Sequence, residues 1–92
     1  MVQGAFTSDG NLKTVSTVGF RPRKVELINE GGLVTGEWVE GMADDSVSKR
    51  ITSGTMTVPT SGGVIPLSNG FSLGADADLN ASGELVRWSA HE

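Results

Sequence analysis

The stretch Glu84-Leu85-Val86-Arg87-Trp88-Ser89-Ala90 sets Val86, Trp88 and Ala90 on one side of an extended chain and Leu85, Arg87 and Ser89 on the other. Alternation with a period of two is the mark of a half-buried strand, because successive side chains of a strand point to opposite faces. The dipeptide Ser82-Gly83 just before it is a turn signal. The same grammar recurs towards the start of the chain. Residues 71–74 and 64–67 are strand candidates separated by Asn69-Gly70, and residues 50–59 form another. Residues 33–40, carrying Trp38, follow the Gly31-Gly32 turn, and residues 23–29 precede it. At the front, Asp9-Gly10 separates residues 3–8 from residues 12–18 and predicts an opening hairpin. Residues 43–49 are the one plausible helical turn, with early acids and a late lysine matching the helix dipole, and a charged loop serves equally.

Thirteen glycines punctuate the chain so closely that few long windows lack one. Each interior glycine costs a helix about 1 kcal/mol relative to alanine, so long helices are excluded. About seven short strands with regular turn signals predict one all-β domain over residues 1–92, a small antiparallel β-sandwich or β-barrel. Phe6, Phe20, Trp38, Phe71 and Trp88 are the expected core, with one tryptophan available to anchor an interface.

The 92 residues carry a net charge of −4, a field that repels phosphate polymers and anionic lipid, so neither nucleic acid nor membrane is an expected partner. The opening residues lack a basic and an apolar segment, so no secretory signal is expected. The chain has no cysteine, which removes thiol nucleophiles, disulfides and cysteine-bound metals. Its single histidine, His91, lies next to the last residue of the sequence, a poor place for a general base.

Asp76-Ala77-Asp78-Leu79-Asn80 spaces side-chain oxygens like the start of a calcium loop. The glycine that such a loop needs is Ala81, and its bidentate glutamate position holds Arg87, so a turn in which Asp and Asn satisfy local backbone donors is preferred. Asp44-Asp45 and the Glu37/Glu40 pair show no apolar cleft that would split their pKa values for acid–base work. Ser61-Gly62-Gly63 leads into Val64-Ile65-Pro66 and not into a helix, so it cradles no phosphate. The expectation is a non-enzymatic protein without cofactor or metal, whose work is contact.

Four stretches carry a resemblance: Gly4-Ala5-Phe6-Thr7-Ser8-Asp9-Gly10, Gly19-Phe20-Arg21-Pro22-Arg23-Lys24-Val25, Glu37-Trp38-Val39-Glu40-Gly41-Met42, and Asn69-Gly70-Phe71-Ser72-Leu73-Gly74-Ala75-Asp76-Ala77-Asp78-Leu79-Asn80 with the later Arg87-Trp88-Ser89-Ala90. Together they resemble small virion proteins of tailed bacteriophages, whose patterns run G-x-F-T-x-D-G, G-F-x-P-x-x-V, E-W-x-x-G-M and G-F-x-x-G. The resemblance implies a capsid decoration or cement protein, a homotrimer made in the host bacterial cytoplasm and seated on the phage head. Its partner would be the major capsid protein. A related pattern in tail-fibre modules implies the alternative, an adhesive module contacting host glycans through Trp38 or Trp88 and loop carboxylates. The bases Arg21, Arg23 and Lys24 depart from the group's commoner form, so they bear on the partner. The contact residues expected are therefore Val2, Gln3, Arg21, Arg23, Lys24 and Trp38, with Val2 and Gln3 adding a strand to a neighbouring sheet edge.

Overall fold

A computed structural model describes residues 1–92. The chain forms nine strands and no helix: β1 (Val2–Thr7), β2 (Lys13–Val15), β3 (Lys24–Asn29), β4 (Val34–Val39), β5 (Ser48–Arg50), β6 (Met56–Thr57), β7 (Val64–Leu67), β8 (Gly70–Leu73) and β9 (Leu85–His91). They make two antiparallel sheets, a six-stranded one in the order β1-β9-β3-β4-β5-β6 and a three-stranded one in the order β2-β8-β7. The all-β reading holds, and so does the alternation of the last strand. Val86, Trp88 and Ala90 are buried, while Leu85 and Arg87 are exposed.

Register places three rows of side chains on the inner face of the larger sheet. Val2, Ala90, Val25 and Trp38 form the first; Gly4, Trp88, Leu27, Gly36 and Lys49 the second; Phe6, Val86, Asn29 and Val34 the third. Val64, Phe71 and Leu73 of the smaller sheet complete the core. Phe71 meets Trp88 edge to face, with ring centroids 5.3 Å apart, the geometry that the aromatic quadrupoles favour. Phe71, Trp38 and Trp88 are core residues as expected, whereas Phe6 and Phe20 are half-buried at its margin.

Two local expectations are corrected, and the choice left open at residues 43–49 falls to the non-helical turn, with Asp45 at φ +70°. The Asp9-Gly10 turn exists, with Gly10 at φ +83°, but it does not close a hairpin. β1 pairs with β9, and β2 crosses to the other sheet and pairs with β8. The cause is long-range: the Ser8 hydroxyl bonds to buried Asn80, and the Ser8 backbone is held by Glu84 and Gly83. Residues 50–59 are not one strand, because Gly54 at φ +86° reverses the chain between β5 and β6. Residues 43–49 make a single turn, Ser46 N–H to Ala43 C=O at 3.2 Å, and then enter β5.

The two sheets join on one side. Val64 N–H donates to Ser46 C=O at 3.0 Å and Asp45 N–H to Val64 C=O at 2.9 Å, so the segment before β5 lies along the outer edge of β7. On the other side β1 and β2 remain apart, leaving a shallow cleft of about 220 Å³ lined by Ala5, Phe6, Lys13 and Trp88 among others.

Gly70 sits where the β7–β8 hairpin crosses the end of β2. A Cβ there would overlap the Val15 carbonyl oxygen, which is backbone and cannot rotate away. At Gly36 the obstacles are Leu79 and Val47 side-chain carbons, which can give. Gly70→Ala is therefore expected to cost at least about 2 kcal/mol of unfolding free energy, and more than Gly36→Ala. Urea titration of both variants checks this; a Gly70→Ala protein as stable as the wild type would contradict the packing described.

Candidate functional site

Two groups of polar residues stand out, one inside an end of the sandwich and one at a corner. The inner group grows from the Asp76–Asn80 turn. Asp76 Oδ1 accepts from the backbone N–H groups of Asp78 (2.9 Å) and Leu79 (3.0 Å), the local satisfaction expected of an Asp in a turn. Its carboxylate also accepts from Lys49 Nζ at 2.8 and 3.1 Å, and the same ammonium donates to Asp78 Oδ2 at 2.8 Å. The oxygens that resemble a calcium loop thus hold a lysine of this chain. Nowhere do three or more His, Cys, Asp or Glu side chains converge as metal ligands.

Lys49 reaches this position because its register partner Gly36 places it on the inner face, at the rim of the core. Leu79, fully buried, projects from the turn into the space above Gly36, so the turn plugs the sandwich while the ion pair fastens it. Asn80, 2% exposed, bonds to the Ser8 hydroxyl and donates to Asn11 C=O at 2.8 Å and Gly74 C=O at 2.9 Å. Asn29 fastens the far side, donating to Asp78 C=O at 2.8 Å and to Glu84 Oε1 at 3.2 Å. No buried side-chain nitrogen or oxygen lacks a partner. Each of these groups would be costly if left unpaired. Sequence reasoning missed Ser8, Asn29 and Lys49 as members of this network.

The corner group contains most of the expected contact residues. Pro22 is fully buried and pins the β2–β3 connection, so that Arg21 and Arg23 project outwards on either side of it. The backbone there is clamped: Arg23 N–H donates to His91 C=O at 2.8 Å, and Arg23 C=O accepts from Glu40 N–H at 2.7 Å. Lys24 starts β3 at the same end of the sheet as Val2 and Gln3, which pair with Ala90 and Ser89. Arg21, Arg23, Lys24, Val2 and Gln3 therefore share one end of the six-stranded sheet.

That corner is not a bare basic patch. Arg23 lies 3.6 Å from Glu40, and Lys24 lies 3.7 Å from both Glu26 and Glu37. Of the three bases only Arg21 has no acidic partner within 4.0 Å. Such exposed pairs are worth about 0–1 kcal/mol, so an incoming acid can replace them. Trp38 is the correction among the contact residues. It is 2% exposed, faces the core, and donates its indole N–H to Ala43 C=O at 3.2 Å, so it offers no surface to a partner. Trp88, 7% exposed, is likewise inside. Neither ring can serve as the stacking platform that a glycan contact would require.

No protein-family model, no curated protein and no solved structure matches this chain.

The ion pair sets the pH response. Burial by itself would raise the Asp76 carboxyl, but the Lys49 hydrogen bond and the Leu79 and Asp78 amides outweigh it and hold the group below the usual carboxylate value. Burial would likewise lower Lys49, and the bonds to Asp76 and Asp78 override that and raise it. A depressed Asp76 contributes stability that is complete above the ordinary carboxylate pKa of about 3.9 and is lost as pH falls through the folded value. A raised Lys49 contributes stability that is complete below about 10.4 and is lost as pH climbs through its folded value. Lys49→Met leaves the mostly buried Asp76 carboxylate without its cation and is expected to cost about 1–3 kcal/mol at neutral pH. The deficit should narrow as pH falls below the ordinary carboxylate range and on through the depressed folded value of Asp76, where the carboxylate is lost. Thermal unfolding of wild type and variant across pH checks this; a gap independent of pH would contradict it.

Proposed function

We propose that this protein is a non-enzymatic structural component of a bacteriophage virion, a capsid decoration protein that seats on the outer surface of the head and reinforces it. Its partner in this reading is the major capsid protein. The observation that carries it is the rigid corner at Arg21-Pro22-Arg23-Lys24, where a buried proline and two backbone clamps hold out guanidinium groups with only weak, displaceable partners. A clamped backbone loses little entropy on contact, so a surface built this way suits repeated docking on a fixed lattice of acidic residues. The resemblance of the four motifs to small phage virion proteins is what suggests a phage head as that lattice.

The disposition of the acids supports contact over catalysis. Asp76 is committed to Lys49 and two backbone amides, while Glu26, Glu37 and Glu40 are engaged at the exposed corner. None sits in an apolar cleft of the kind that raises one carboxyl for proton transfer. The tail-fibre reading loses its aromatic contacts, since both tryptophans are internal.

Co-sedimentation with undecorated phage capsids tests the proposal. The wild-type protein is expected to pellet with the capsids in a salt-sensitive manner. A protein carrying both Arg21→Glu and Arg23→Glu should retain its fold and lose at least about tenfold in affinity, the effect of reversing two rim charges. Wild-type protein left entirely in the supernatant, or binding unmoved by the reversals, would overturn the corner's role.

A further inference from the structure

Sheet edges carry unpaired backbone groups that invite pairing with other strands, and folded proteins blunt them with short strands, charges, prolines or covering segments. Three of the four edges here are blunted. β6 has two residues and β2 has three, of which Lys13 is charged. β7 is covered by Asp45 and Ser46, and it contains Pro66 two positions from Val64, whose N–H points to that same edge. β1 is the exception. It runs for six residues, Val2-Gln3-Gly4-Ala5-Phe6-Thr7, with no charge, proline or bulge, and it pairs only with β9.

The direction of its free groups follows from the ladder. Ser8 N–H donates to Glu84 C=O at 2.9 Å, and the register continues unbroken from Thr7–Leu85 to Val2–Ala90. Because antiparallel bonding alternates along a strand, Phe6, Gly4 and Val2 face β9. Thr7, Ala5 and Gln3 turn their N–H and C=O groups outwards, and Gln3, Ala5 and Thr7 are exposed.

We infer that β1 is a self-pairing edge, and that its occupant is β1 of a second copy of this chain, joined antiparallel about a twofold axis at Ala5. That register sets Ala5 against the partner copy's same residue and Gln3 against its Thr7 on the hydrogen-bonding positions, so the outward groups of both strands are satisfied and no like charges meet. Between them Gly4 faces the second copy's Phe6. The missing side chain at Gly4 lets the Trp88 ring lie directly over the strand, its Cζ2 2.7 Å from where a Cβ would stand. An uncharged edge that complements itself is the isologous patch a twofold dimer needs. The two larger sheets then become one continuous sheet. This pairing is distinct from the threefold assembly that the virion resemblance implies, and it stands whether or not the protein binds capsids.

A strand pair of this length falls at the small end of protein interfaces, below about 1,200 Å² in total, so the dimer depends on concentration. Analytical ultracentrifugation over a dilution series tests it. Wild-type protein is expected to shift from the chain mass to twice that mass as concentration rises. Ala5→Lys and Ala5→Glu, which each place two like charges at the axis, should be folded by circular dichroism and remain monomeric alone. Their equimolar mixture should restore the species of doubled mass. A monomer at every concentration, a trimer, or dimerisation untouched in either single variant would overturn the inference; an unfolded variant would contradict the outward placement of Ala5.

Discussion

The hydrogen-bonding demand of the backbone at the sheet edges is the constraint that shapes this molecule. A buried or exposed N–H must find a partner in protein or water, and a two-sheet domain of 92 residues has four edges and little else with which to cover them. One side is settled within the chain, where residues 45 and 46 lie along β7 and join the sheets. The opposite side stays open because the turn at Asp9-Gly10 carries β2 into the other layer in place of laying it beside β1. The same crossing that builds the second sheet therefore leaves the outer edge of β1 unpaired.

Polar side chains hold this arrangement where the core is too thin to do so alone. Domains of this size bury only about 60–65% of their unfolded surface, and the apolar cluster here numbers 14 residues. The Asp76–Asn80 turn adds to it on both counts. Leu79 lends apolar contact above Gly36, and Asp76, Asp78 and Asn80 tie the turn to β5, to β3 and to the β1–β2 crossing. A loop that resembles a cation site thus works as a plug with its own cation. The geometry links the two features of interest, since Asn80 grips Ser8 and so fixes where β1 ends and the crossing begins.

Elements were legible where information was local. The alternation of residues 84–90 identified β9 and its buried face correctly, and the glycine spacing excluded helices. A turn dipeptide tells that the chain reverses, but the layer it re-enters is decided elsewhere. For Asp9-Gly10 that decision lies with Asn80, 72 residues from Ser8. The oxygen-rich turn at Asp76 was readable for the same local reason, whereas its cation, 27 residues away, was not. Trp38 and Trp88 look alike in sequence as core or contact residues, and only the strand register that turns both inward separates these roles. The basic run at Arg21–Lys24 overstated the charge of the corner, because Glu26, Glu37 and Glu40 come from neighbouring strand positions.

Residue-resolved hydrogen exchange along β1 tests the open edge most directly. In dilute protein the amides of Gly4 and Phe6 should be protected, while those of Gln3, Ala5 and Thr7 should exchange at nearly unprotected rates. Raising the protein concentration should then slow the second set and leave the first unchanged. Uniform protection along the strand in dilute solution, or exchange at Ala5 that ignores concentration, would contradict an edge left free for a second copy.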